Sequence, residues 1–377
     1  METVSESSQL SPLNLDEYER LAQSRLDRTA YDYYSGFACD GVTLHQNRRA
    51  YEELTLLPHV LVDVSARDMS VQLFGSTLSM PVMIAPMAFQ GLAHPTGEIA
   101  MAVAAAKAAT VMVVSTLANF SIQQIRQSSK ADLWFQLYVY KDRELTKALV
   151  RRAETLGCKA LVLTVDAPMM GRREGDIRNR FKLPTGLCLG NLADVLENND
   201  DSQDTAALAK LPRPDDDSSL AAYIAEQCDP SVSWKDIEWF RSITTLPIVL
   251  KGILRSDDAC KAVSCGVDGI VVSNHGGRQL DTASATISVL PSIAQAVERK
   301  CKILIDGGIR RGTDVLKAIA LGADAVLVGR PFLWGLAVRG EDGVSDIFEL
   351  LRSEFDLAMA LSGCPTLQSI TPDLVRS

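Results

Sequence analysis

The sequence predicts an α/β protein built on a (β/α)8 TIM barrel, with an N-terminal helical extension and a long loop after the fourth strand. Three observations carry this. One short motif recurs three times, eight apolar runs alternate with helical stretches, and polar residues gather at one end of nearly every run.

The recurring motif is a glycine, two residues, a small residue and an unbroken apolar run. It occurs at Gly157–Thr164, Gly266–Ser273 and Gly322–Gly329. Short unbroken apolar runs are what parallel strands buried on both faces look like. Five more runs complete the set: Pro81–Pro86, Thr110–Ser115, Leu133–Tyr138, Pro247–Lys251 and Lys302–Asp306. Helical segments such as Gly97–Ala109 and Arg143–Leu156 lie between them, and strand-helix alternation implies a parallel sheet. An open doubly wound sheet can also hold eight strands. The count and the placing of polar residues favour closure.

The 377 residues read as one domain. Residues 1–13 form a polar, disordered tail; 14–80 precede the barrel and begin with helix up to Gly36. The barrel spans 81–335, interrupted by an insertion at about 171–235, and 336–377 form C-terminal helices. The middle of the insertion, 192–219, is acidic and broken by proline, which reads as a mobile surface loop.

Composition is that of a globular enzyme, 47% hydrophobic and 23% charged. A net charge of −9 argues against nucleic acid or anionic lipid as partner. No basic, apolar leader opens the chain, and no run reaches the roughly 20 apolar residues of a membrane helix. The eight cysteines form no Cys-x-x-Cys pair and no metal-ligand cluster, which fits a cytoplasmic protein with no metal.

Barrel enzymes place their reacting groups at the C-terminal strand ends. In order, those ends offer Met87 and Ala88; Ser115 and Leu117; Gln136 and Tyr138; Thr164 and Asp166; Lys251; Ser273, His275 and Arg278; Asp306, Gly307, Gly308 and Arg310; and Gly329 and Arg330. The last two ends suit a phosphate, since glycines admit close backbone approach and the arginines supply charge. A histidine with a carboxylate and an arginine on the same rim supplies a base, its orienter and an anion grip.

Three stretches resemble the FMN-dependent 2-hydroxy-acid oxidases, the family of glycolate oxidase and lactate oxidase. They are residues 273–281, with His275 and Arg278; 161–166 with Gly171, Arg172 and Arg173; and 306–314, with Asp306, Gly308 and Arg310. The likeness runs from about residue 14 to 371. It implies FMN as cofactor, a small 2-hydroxy-acid substrate, dioxygen as acceptor and a homo-oligomer of four chains or more. His275 would be the base and Asp166 its partner, while Arg278, Arg173 and Tyr33 would hold the substrate carboxylate. Tyr138 would contact the substrate hydroxyl, and Lys251 would lie by the flavin N1–C2 edge. Met87, Ala88, Ser115, Gln136, Thr164 and Ser273 would serve the ring or ribityl chain. Asp306, Gly307, Gly308, Arg310, Gly329 and Arg330 would hold the ribityl and phosphate.

Two positions depart from the plant-type glycolate oxidase pattern, which has Thr at Met87 and Trp at Leu117. Both changes make the wall facing the C2 substituent more apolar and adaptable. L-lactate is therefore expected as the preferred substrate, with glycolate, or a dehydrogenase using another acceptor, as alternatives.

Overall fold

The computed structural model describes residues 11–197 and 227–376. The tail expected at 1–13 and the acidic loop expected at 192–219 lie mostly outside them. Three helices open the described chain: α1 (Leu15–Arg25), α2 (Arg28–Ser35) and α3 (Val42–Glu53). Asn14 and Asp27 cap the first two by accepting from Glu17 N and Ala30 N, satisfying donors that a helix start leaves open. The Asp27 cap fixes where α2 begins, and so the turn of the helix on which Tyr33 and Tyr34 sit.

After β1 (Thr55–Leu56) comes a hairpin, β2 (Val71–Leu73) and β3 (Ser76–Leu78). Its two-residue turn has positive φ at both Phe74 and Gly75 (45° and 77°), the form that matches strand twist. Leu73 and Leu78 are buried among Met83, Val111, Val162, Val249 and Leu304, and the Phe74 ring lies 5.3 Å from that of Trp134. The hairpin thus stops the N-terminal end of the barrel.

The barrel strands are β4 (Val82–Ile84), β5 (Val111–Ser115), β6 (Asp132–Leu137), β7 (Leu161–Thr164), β8 (Ile248–Ile253), β9 (Gly269–Val272), β10 (Lys302–Asp306) and β11 (Ala325–Val328). All neighbours pair in parallel. Val326, Leu327 and Val328 return to pair with Val82, Met83 and Ile84, and the sheet closes. An open sheet would leave those two edges bare, so this register decides between the two arrangements.

Around it lie α4 (Gly97–Lys107), α5 (Ile122–Ser128), α6 (Arg143–Thr155), α7 (Glu174–Arg178), α8 (Gly190–Glu197), α9 (Asp236–Ile243), α10 (Ser256–Ser264), α11 (Thr286–Val297), α12 (Gly312–Ala320) and α13 (Arg330–Leu361). Two expectations need correction. Residues 192–197 are helical rather than loop, with Leu192 and Val195 buried, because Asn191 anchors α8 by accepting from Ile122 N and donating to Ser115 O. The chain also does not end in helices. The last helix begins already at Arg330, kinks at Arg339 and Gly340, and gives way to two 3-10 turns and β12 (Val375–Arg376), which pairs with β1. Among the described residues no helix is long and apolar enough to cross a membrane.

Candidate active site

A cavity opens at the C-terminal rim, roofed on one side by α2. Every residue proposed from the sequence lines it except Asp166 and Ser273, which stand directly behind lining residues.

Asp166 stands behind His275. Its Oδ1 lies 3.0 Å from His275 Nδ1, and His275 Nε2 lies 3.4 Å from the Tyr138 hydroxyl. With Nδ1–H directed at the carboxylate, the Nε2 lone pair faces the cavity. Two backbone features permit this. His275 itself takes the left-handed conformation (φ 58°), which costs a non-glycine residue energy and is held here by Ser273 Oγ, the acceptor for His275 N. Gly252 (φ 119°) leaves room for Asp166, since a Cβ there would stand 2.5 Å from the Asp166 Cβ. Burial pushes the imidazole pKa below its usual value, helped by the Lys251 and Arg173 charges and opposed by Asp166. The imidazole is therefore neutral at pH 7 and able to take a proton. For Asp166 burial pulls the other way, but the His275 and Lys251 charges outweigh it and keep the carboxyl below its usual range.

Facing this pair is a cluster of cations. Arg278 Nη1 donates to the carbonyls of Tyr33 (2.7 Å) and Gly36 (3.0 Å), and its guanidinium lies 5.0 Å from the Tyr33 ring centre. Arg173, only 8% exposed, donates to Arg278 O and Gln279 Oε1. Arg330 is braced by the carbonyls of Tyr34, Gly276 and Gly36. None of the three has a carboxylate in salt-bridge contact among the described residues. Burial, then Arg173, draws Arg278 down to about 10; burial, then Arg278 and Arg310, draws Arg330 to about 9. Asp176 and Glu19 act on these arginines only from beyond salt-bridge distance, and buried like charges braced by carbonyls favour an anionic ligand. Phe181, from the insertion, stacks on Tyr33 at 4.3 Å and 13°, fixing the ring that Arg278 rests against.

On the remaining wall, Lys251 Nζ contacts Asp306 Oδ2 (3.2 Å) and donates to Ser273 Oγ (2.9 Å), which donates to Asp306 Oδ2. Burial pushes Lys251 down, but Asp306 and Asp166 more than offset it. Ser115 Oγ, Gln136 and Thr164 Oγ1 form a hydrogen-bonded row beside it. Two buried atoms of this wall lack any partner, Asp306 Oδ1 and Arg310 Nε. Buried polar atoms are rarely left so unless a ligand completes them. At Gly308 (φ 85°) a Cβ would collide with the Asn47 carbonyl, so only glycine allows the β10 turn to close. Amide and hydroxyl groups suit a flat heteroaromatic ring, Asp306 a polyol, and Arg310 with glycine N–H groups a phosphate. The residues present therefore fit FMN. Among the described residues, no three His, Cys, Asp or Glu side chains group as a metal site would.

The model of the FMN-dependent dehydrogenase family matches residues 22–377. The chain belongs to this family. FMN is thus its cofactor. The family relatives include L-lactate oxidase of Nostoc sp., 51% identical over 96% of this chain and 97% of that protein. Human 2-hydroxyacid oxidase 1 is 49% identical over 96% of each. Among solved structures, mandelate oxidase with (S)-4-hydroxymandelic acid superposes at a TM-score of 0.88, with 40% identity, covering 97% of this chain and 98% of the other.

Several residues that build the site escaped the sequence reading. Gln279 donates to the Asp166 and Met169 carbonyls and accepts from Gly171 N and Arg173, tying the loop after β7 to the loop after β9. Asn47 and Asn274 exchange two amide hydrogen bonds (2.9 and 2.8 Å), holding α3 against the start of the His275 turn. The adjacency of Gln279 to Arg278 was the one available signal for it; nothing local marks Asn47.

Proposed function

We propose that this protein oxidises small L-2-hydroxy acids to 2-oxo acids, with L-lactate to pyruvate as its main reaction and dioxygen as electron acceptor, giving hydrogen peroxide. The observation that carries the reading is one juxtaposition: a neutral histidine with its Nδ1 held by Asp166, across from buried arginines with no carboxylate in salt-bridge contact among the described residues. A base beside an anion grip matches a substrate carrying a carboxylate and, next to it, an alcohol whose oxidation releases a proton, from C2 or from the hydroxyl.

The residues divide the work. Arg278 and Arg173 receive the substrate carboxylate, with Tyr33 closing over it, and so fix the orientation of C2; Tyr138 contacts its hydroxyl. His275 Nε2 accepts the proton, and Asp166 stabilises the imidazolium that results. Lys251, backed by Asp306, holds a positive charge beside the cofactor wall. When bound, FMN supplies acceptance of two electrons from the substrate and their delivery to dioxygen. Met87 and Leu117 face the C2 substituent, and their apolar side chains favour the methyl group of lactate over the hydrogen of glycolate. The L-lactate oxidase and 2-hydroxyacid oxidase relatives support the same substrate class. The reading includes a cytoplasmic setting, in keeping with exposed thiols at Cys39 and Cys260, and an assembly of four chains or more.

Anaerobic titration of the holoprotein with L-lactate and with glycolate, followed by air, tests this. Bleaching at lower L-lactate concentration, with recovery and peroxide on aeration, is the expected result. Slow recovery in air would replace the oxidase by a dehydrogenase with another acceptor. Absence of bleaching with any 2-hydroxy acid would sink the assignment.

A further inference from the structure

Glu98, in the first turn of α4, is fully buried yet touches neither the dyad nor the arginines. Its Oε1 accepts from Gln90 N (3.2 Å) and Asn119 N (3.0 Å). Those two N–H groups belong to different loops, one after β4 and one after β5. The Gln90 side chain continues to the Met87 carbonyl (3.4 Å), and Asn119 lies two residues beyond Leu117. Glu98 therefore joins, through a single oxygen, the two loops that carry the substrate-facing wall.

Other hydrogen bonds run alongside this junction. Phe89 N donates to Leu117 O, Tyr34 OH donates to Phe89 O, and Gly91 N donates to the Asn119 side chain, whose amide donates to Cys188 O in the insertion. Phe89 is held at a positive φ of 57°, a conformation that neighbours must impose. The second oxygen, Oε2, has no close hydrogen-bond partner, though the N–H groups of Phe120 and of Glu98 itself face the carboxylate. A buried carboxylate surrounded by backbone donors and facing no cation is not arranged for packing alone. An apolar side chain would fill that volume at lower desolvation cost and would leave the Gln90 and Asn119 N–H groups without this acceptor.

We propose that Glu98 is a positioning residue that sets the substrate-facing wall, and thereby the discrimination among 2-hydroxy acids by their C2 substituent. The inference rests on the oxidase reading above. It assigns no part in proton transfer or carboxylate binding to Glu98, which reaches the substrate only through Met87, Phe89 and Leu117. Glycolate has no carbon substituent at C2 and so makes no demand on that wall. L-lactate places a methyl group against it, and longer 2-hydroxy acids press on it further.

The test is steady-state kinetics of the FMN-loaded enzyme with glycolate, L-lactate and L-2-hydroxybutyrate, for the wild type and Glu98→Gln. Glutamine keeps the volume and one acceptor oxygen but turns an N–H donor toward donors. The expected result is a rise of about two- to fourfold in KM for L-lactate relative to glycolate, from imperfect contact with its methyl group. KM for glycolate and kcat for both should stay within about twofold, since the reacting groups are untouched. Glu98→Asp should restore part of the wild-type ratio. A purely structural role would instead raise both KM values together and lower FMN content. If Glu98→Gln does not retain FMN, Glu98→Asp is the second probe, since it keeps the acid and withdraws its oxygen from the Gln90 and Asn119 N–H groups. A lactate-to-glycolate ratio equal to wild type in the variant that folds overturns the proposal. A wild type that oxidises no 2-hydroxy acid overturns the function itself, and this inference with it.

Discussion

His275 and Asp166 meet at 3.0 Å through Nδ1 and Oδ1, each at a different strand end and each held by backbone that only a special conformation allows. The pair makes a firm demand. Asp166→Asn should preserve the contact distance but remove the charge that stabilises the imidazolium. Rapid-mixing measurement of FMN reduction should then show a loss of about 10² to 10⁴ in rate, with cofactor content unchanged. A variant within threefold of wild type would remove Asp166 from the chemistry.

The pH dependence follows from the same geometry. Burial lowers the His275 pKa, so the proton-accepting form persists below the usual imidazole range. Activity, read as kcat/KM for L-lactate, should be flat near neutrality and fall only as pH drops below about 6.5. Asp166 acts in the opposite sense, favouring the protonated ring, so the acid limb of Asp166→Asn should move to lower pH still. A shift to higher pH would contradict the assigned roles.

Arg278→Lys keeps the charge and loses the planar fork. Because Nη1 is occupied by the Tyr33 and Gly36 carbonyls, lysine cannot brace the loop and grip an anion together. A fall of about 10²-fold or more in kcat/KM is expected, with weaker competition by carboxylate inhibitors and unaltered FMN binding.

Gly308→Ala tests the cofactor wall. The added methyl group would strike the Asn47 carbonyl at a backbone angle that alanine avoids. The purified variant should carry little flavin, and its retention of added FMN should weaken at least about tenfold, a cost of roughly 1.4 kcal/mol or more.

The pair Met87→Thr and Leu117→Trp should turn the preference toward glycolate. Burial of a methyl group contributes about 0.8 kcal/mol, so the selectivity ratio should move by roughly fourfold or more. An unchanged ratio would place discrimination elsewhere in the cavity.

The strands were legible because each is a short apolar run buried on both faces, and all eight occur where those runs lie. The rim residues were legible because barrel strands leave their chemistry at their C-terminal ends, and Asp306 to Arg310 carries that signal in five consecutive residues. What local pattern could not show depends on partners distant in sequence. Val375 and Arg376 become a strand only by meeting Leu56 and Thr55. Residues 192–197 become helix because Asn191 finds Ser115 and Ile122 across the fold. Glu98 reads as an ordinary first-turn acid on a helix, and only the folded loops reveal that it is enclosed by their N–H groups.

The hairpin under Trp134 bears on how the molecule can be handled. With Phe74 and its neighbours stopping the barrel axis, the end of the molecule that they form is insulated from the reacting end by the full height of the sheet. A linker, an electrode tether or a reporter domain joined near Gly75, whose added Cβ would meet nothing within 4 Å, can be carried there without obstructing the mouth of the cavity.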